Sequence, residues 1–124
     1  ARSLNDIIRA ADLGDYQASA VLIMAYGSKP EAPVPSMLAY MQRHVERGHA
    51  YAQVALAFAY DYGRHGLLPN PEKAFELYSL AAGQGDAHAQ CCVGICYAYG
   101  RGAQLDEEQA VHCYPFYSTQ LSEA

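Results

Sequence analysis

Tryptophan is absent from this chain, phenylalanine appears three times, and only 17% of the side chains are charged. Each shortage removes a class of function. Eight Lys and Arg against thirteen Asp and Glu leave a net charge of −5. The basic residues are scattered, so no positive track exists to neutralise phosphates, and nucleic-acid binding is excluded. Eighteen consecutive apolar residues occur nowhere, so this segment inserts no helix into a membrane. No basic stretch precedes an apolar one in the manner of a secretory leader. Strand patterning is missing beyond the aromatics themselves. Ser79, Ser118 and the cysteines have no base and orienting group in a recognisable motif, so no catalytic set is read and the chain is not expected to be an enzyme.

What the chain does have is alanine, glycine and eleven tyrosines, placed at regular intervals. Gly14, Gly48 and Gly85 each stand four residues before an alanine (Ala18, Ala52, Ala89) and twelve before a tyrosine (Tyr26, Tyr60, Tyr97), with spacings of 34 and 37 residues. Ala10-Ala11 and Ala81-Ala82 precede their glycines by one offset, and Ala74 and Tyr78 recur as Ala110 and Tyr114. A period of that length with helical internal spacing means stacked helix pairs. Alanine lets two helices approach closely, and glycine turns the chain.

Gly85-Asp86-Ala87-His88-Ala89-Gln90, followed by Gly94, Tyr97, Gly100-Arg101-Gly102, Asp106, Ala110 and Tyr114, resembles the Sel-one-like repeat, a cousin of the tetratricopeptide repeat. The resemblance implies an all-α, right-handed solenoid. It divides the chain into one repeat domain over 1–124: residues 1–13 as the second helix of a preceding unit, repeats at 14–47, 48–84 and 85–117, and a tail at 118–124. On that division the chain is a segment of a longer protein. The unit at 14–47 is degenerate, because Tyr40 and His44 stand where the family has an alanine and an aromatic.

Capping residues place the helices. Ser3 starts a helix to Leu13; a second runs from Asp15 to Tyr26, ended by Gly27 and by Pro30, Pro33 and Pro35. Ser36 opens a helix to Arg47, and the next spans 50–62. Asn70-Pro71 is a strong helix start, with proline in the first turn where its missing N–H costs nothing. Asp106, with Gln109 three residues on, opens the last helix, which Pro115 kinks or ends near Tyr114. Phe116, Tyr117 and Leu121 then form a tail that caps the stack or leads into further repeats.

The first helix of each pair is apolar on two faces. In helix 50–62, Ala52, Leu56 and Tyr60 occupy the packing positions, and the opposite face carries Tyr51, Val54, Ala55, Phe58 and Tyr62. His88, Cys91, Cys92, Ile95 and Tyr99 match them in the third unit. A helix apolar all round is buried twice, so this second face is either inter-repeat core or the lining of a concave groove. Tyr51, Phe58, Tyr62, His88, Ile95 and Tyr99 are the candidate groove residues. Tyrosine and histidine keep a polar tip that favours water or a partner.

The resemblance implies a non-catalytic adaptor or scaffold segment holding a protein or peptide partner. It points to a larger bacterial protein in signalling, secretion, surface assembly or toxin neutralisation. A glycan or peptidoglycan strand stacked on the tyrosine face is the alternative, and self-association through the solenoid ends a third reading. No cofactor is implied. His88, Cys91, Cys92 and Cys96 lie on one helix and His112-Cys113 on the next, but their spacing matches no zinc signature, and no metal site is assigned. Cys96 and Cys113 are equally far from the intervening turn and can meet across it. The pattern of unpaired thiols favours a cytosolic setting, with the bacterial periplasm as the alternative.

Overall fold

The structure is a computed structural model, and it describes residues 3–26 and 36–113. Among them are seven helices and no strand: α1 (Leu4–Asp12), α2 (Tyr16–Tyr26), α3 (Met37–Glu46), α4 (Ala50–Tyr62), α5 (Pro71–Gly83), α6 (Ala87–Tyr99) and α7 (Glu107–Cys113). The prolines at 30, 33 and 35, the Pro115 kink and the tail lie outside the described residues. Each helix packs on the next, and α2 also packs on α4, which gives the all-α solenoid of helix pairs. None of the described helices is long and apolar enough to cross a membrane.

The caps form where side-chain chemistry places them. Ser3 and Asp6 cap α1 reciprocally; Ser36 accepts from the Ala39 N–H, Asn70 from Lys73 and Asp86 from Ala89. Asp106 accepts from the Gln109 N–H.

One turn is used three times. Gly14, Gly48 and Gly85 have φ of +99°, +81° and +92°, in the left-handed region where glycine alone is unstrained. Their N–H groups donate to Ala11, Val45 and Ala82, and the residue after each glycine donates to Ala10, His44 and Ala81. The orphan carbonyls at the ends of α1, α3 and α5 are thereby satisfied.

A second junction lies at the far ends of α4 and α6. Gly63 and Gly100 close these helices in the left-handed conformation. The chain then loops out and returns so that Asn70 N–H donates to the Tyr60 carbonyl at 2.8 Å and Asp106 N–H to the Tyr97 carbonyl at 2.9 Å. The cap residue of the next helix is thus pinned to the last turn of the previous one.

The core runs along the stack. Ala52, Ala57, Ala81, Ala89 and Ala110 are fully enclosed, at 0% exposure, where helices pass most closely. Leu22, Ile23, Met41, Leu56, Leu77 and Tyr78 fill the space between. Tyr40 and His44 join this core at 2% and 1% exposure. The degenerate unit therefore packs, with polar aromatics where alanine and a plain aromatic would sit.

The loop of 100–106 lies against the start of α5. A Cβ at Gly102, whose φ is +76°, would overlap the Pro71 carbonyl and crowd Phe75. At Gly85 the φ is +92° but the space is open. Left-handed backbone costs an L-residue about 1–2 kcal/mol. We therefore expect Gly85→Ala to destabilise by about that amount and Gly102→Ala by distinctly more, read from urea denaturation of the two variants. Equal losses would show that the contact with Pro71 relaxes freely.

Candidate functional site

Charge is segregated between the two layers of the stack. The second helices carry it: Arg43 and Glu46 on α3, Glu72, Lys73 and Glu76 on α5, Glu107 and Glu108 on α7. The first helices, α2, α4 and α6, have a single Asp, Glu, Lys or Arg among them, Asp61. That carboxylate is taken by Arg101, whose Nε lies 2.7 Å from Oδ1 and whose Nη2 donates to the Asp61 carbonyl at 3.1 Å. The apolar layer therefore faces outward with no unpaired carboxylate of its own.

A groove of about 480 Å³ opens on this layer. Its floor and walls are Ile23 and Met24 of α2, Tyr51, Val54, Ala55, Phe58 and Tyr62 of α4, and Arg64. The five α4 residues are the face read from the sequence as opposite the packing positions. Phe58 is half-buried and stands edge-on to the enclosed Tyr78, ring centroids 5.6 Å apart, so it is anchored in the core. Tyr62 lies parallel to Phe58 at 6.0 Å and is 59% exposed. The Arg64 guanidinium sits over the Tyr62 ring at 5.6 Å.

The other candidates extend the surface along α6 rather than lining the groove itself. His88 is exposed and packs on the Phe58 ring at 5.5 Å. Ile95 and Tyr99 are exposed at 45% and 75%. On α2, Val21 and Met24 are exposed at 50% and 77%. Sequence reading passed over both, because the first unit lacks the aromatics that drew attention to α4 and α6. The repeat register would have found them, since Met24 stands 34 residues before Phe58, the distance that separates Gly14 from Gly48.

One end of the groove rests on a partly buried polar cluster. The Nδ1 atoms of His44 and His49 are 3.2 Å apart, and the Tyr51 hydroxyl is 2.9 Å from His49 Nδ1. Tyr16 stands edge-on to both His49 and Tyr51, at 4.9 and 4.8 Å between centroids. The Tyr40 hydroxyl is buried without a hydrogen bond, beside a Ser19 hydroxyl that donates to the Asp15 carbonyl. Burial, then the positive charges of Arg47 and Arg43 and the neighbouring His49, hold the His44 pKa down at about 4, against a smaller opposing pull from Asp12. His49 is lowered too, by burial and then Arg47.

All four thiols are free: Cys96 is buried and Cys91, Cys92 and Cys113 are half-buried. Burial pushes Cys92 and Cys96 up to about 11, helped at Cys92 by Cys96, Cys91 and Asp61 and at Cys96 by Asp61 against a smaller opposing pull from Arg101. Zinc binds thiolates, and burial that disfavours the thiolate works against that ionisation at Cys92 and Cys96. No group of three or more His, Cys, Asp or Glu suited to a metal ion occurs among the described residues.

Two outcomes follow. The unfolded chain takes up a proton at His44 near pH 6.5 and the folded chain resists until about pH 4, so this stability is complete above 6.5 and drains away as pH falls through that window. At pH 5 the linkage amounts to about 2 kcal/mol, and the loss of stability between pH 7.5 and 5 on denaturation should be smaller by about that amount in His44→Phe than in the parent. Cys92 and Cys96 should react with Ellman's reagent at pH 8 at least about tenfold more slowly in the native than in the denatured chain. Equal rates would place those thiols in water.

The Sel1 repeat family profile matches residues 50–86 and 87–114, more than half of the chain. A Sel1 repeat protein from Oxalobacter formigenes shares the fold with a TM-score of 0.78 and 25% identity, over 96% of this chain and 92% of its own. A protective antigen present in uropathogenic Escherichia coli strains and displaying an SLR fold gives a TM-score of 0.79 at 21% identity, over 97% of this chain. The match spans only 26% of that longer protein. No curated protein matches the chain. With its glycine turns, alanine contacts and pinned caps accounted for, the chain belongs to the Sel1 repeat family of α-solenoids, whose repeats serve as protein–protein interaction modules.

Proposed function

We propose that this chain is a non-catalytic adaptor segment that holds a polypeptide partner against α2, α4 and α6. In this reading the pairs α2/α3, α4/α5 and α6/α7 are the three repeats and α1 closes a preceding unit. The observation that carries it is the charge segregation: an exposed apolar stripe from Val21 and Met24 through Tyr62 to Ile95 and Tyr99, on helices whose sole carboxylate is neutralised. Apolar surface of that extent, left in water, marks a docking site. Arg64 is the one charged group in the groove lining, so a partner placing several charges there would lose hydration that the lining does not replace, and the fitting partner is a segment with an apolar face, such as an amphipathic helix lying in the groove.

The same lining argues against a glycan strand. Sugar sites bind hydroxyls through carboxylates and amides, and the groove residues offer neither. Catalysis has no support in the groove for a related reason, since its polar groups are two tyrosine hydroxyls and one guanidinium.

The test is selection of displayed peptides on the immobilised chain, followed by calorimetry of those enriched. Phe58 is anchored against Tyr78 and its truncation would damage the core, so the informative variant is Met24→Ala with Tyr62→Ala, both largely in solvent. We expect enriched peptides with apolar residues at helical spacing, and affinity reduced about tenfold or more in that variant. Glu72→Ala with Lys73→Ala, on the charged layer, should leave affinity unchanged. Equal losses in both variants, or enrichment of charged peptides indifferent to either, would overturn the reading.

A further inference from the structure

The groove is lined by α2, α4 and Arg64, yet the end of α4 that forms one of its walls is completed by the third repeat. A helix leaves its last four carbonyls without intrahelical partners. In α4 these belong to Ala59, Tyr60, Asp61 and Tyr62. The adjoining chain supplies the first two, since the Gly63 and Arg64 N–H groups donate to Ala59 and the Asn70 N–H to Tyr60. The third is met from much farther along: Arg101 Nη2 donates to the Asp61 carbonyl at 3.1 Å.

The Asp61 carboxylate gives this contact its sign. It stands on the penultimate residue of α4, where the helix dipole is negative and an acid is disfavoured. Arg101 brings both Nε and Nη2 to 2.7 Å from Oδ1, so a lone negative charge becomes a pair with its cation at the helix end that favours one. A bridge between two solvated side chains contributes little. Here the Asp61 side chain is only 12% exposed, and removing its partner leaves an enclosed charge rather than a hydrated one.

The turn that carries Arg101 is fixed on both sides. Gly100 closes α6 in the left-handed conformation, and Gly102 lies so close to the Pro71 carbonyl that a Cβ would overlap it. Three consecutive residues thus end α6, grip the last turn of α4 and seat on the start of α5.

We propose that Arg101 is the C-cap of α4, supplied by the third repeat, and that it positions Tyr62 in the groove wall of the second. Tyr62 follows Asp61 directly, stacks on Phe58 and lies under the Arg64 guanidinium. Its ring is 59% exposed, so the backbone of the last turn sets where it stands. Arg101 lines no part of the groove and acts through Tyr62. The effect on a bound peptide rests on the peptide-binding reading above; the cap does not.

Three variants separate a cap from a simple contact. Arg101→Gln leaves an enclosed carboxylate at the negative end of a helix. Asp61→Asn leaves a cation still able to reach the carbonyl, and the double variant leaves neither charge. Amide exchange along α4 is followed by NMR on the full chain, and a displayed peptide enriched on the parent is titrated by calorimetry. In Arg101→Gln, Gly63 and Arg64 should exchange about tenfold faster, with Leu56 unchanged, and peptide affinity should fall about fivefold. Asp61→Asn should alter both by less than about threefold, and the double variant should fall between the two. Should Arg101→Gln not fold, the double variant set against Asp61→Asn decides, because loss of the guanidinium alone should still raise exchange at Gly63 and Arg64. Unaltered exchange in Arg101→Gln, or an equal rise in Asp61→Asn, overturns the cap. Faster exchange with undiminished peptide affinity keeps the cap and overturns the positioning of Tyr62. A parent chain that enriches no peptide removes the groove's occupant and leaves the cap to stand or fall on exchange.

Discussion

Everything in this solenoid depends on how closely its helices pass. At Ala52, Ala57, Ala81, Ala89 and Ala110 there is no side chain beyond a methyl to hold the backbones apart, and each methyl is wholly enclosed. Close passage fixes the stacking distance, and the stacking distance dictates where bulk can go. Tyr78 and Leu77 fit beside the alanine contacts, while Phe58 reaches across from the other face of α4 to touch Tyr78. The aromatics that are not enclosed, Tyr62 and Tyr99 above all, are left in solvent on α4 and α6. The groove is in this sense the remainder of a packing problem solved with alanine.

The helices and their ends were legible because their signals are local. A cap needs one side-chain oxygen at a fixed offset, and Ser36, Asn70 and Asp86 supply it where the sequence places them. The two-sided character of α4 was legible from its periodicity alone. The partners that reach between units were not. Gly100-Arg101-Gly102 reads as a turn, and nothing in its spacing says that Arg101 extends back to Asp61, forty residues earlier. Gln53 likewise sits among the packing residues of α4 and, within one helix pair, accepts from Gln84 at 2.8 Å. Such pairs depend on how the helices are set against one another, which has no short-range signature.

Tyr40 and His44 show how a departure from a family pattern can be absorbed. Replacing an alanine and a plain aromatic by larger polar rings adds hydroxyl and imidazole groups to a site that has little water. The His49 turn residue meets the His44 imidazole and the Tyr40 ring packs on His44, so both rings are held although the Tyr40 hydroxyl is left without a hydrogen bond. The repeat signal weakens at those positions because the packing problem there has been solved a second way.

The pinning of Asn70 to Tyr60 and of Asp106 to Tyr97 has a consequence for how such a scaffold diversifies. Each loop is fastened at its departure by the left-handed glycine and at its return by the tyrosine carbonyl, so the helices receive the chain at the same point whatever length it travels between. The two loops already differ by one residue, ten positions from Tyr60 to Asn70 against nine from Tyr97 to Asp106, with the same anchors. Closure entropy grows only slowly with length, so longer excursions are tolerated at small thermodynamic expense. The rim beside Arg64 and Arg101 is therefore where new sequence can be displayed while the stack beneath keeps its register.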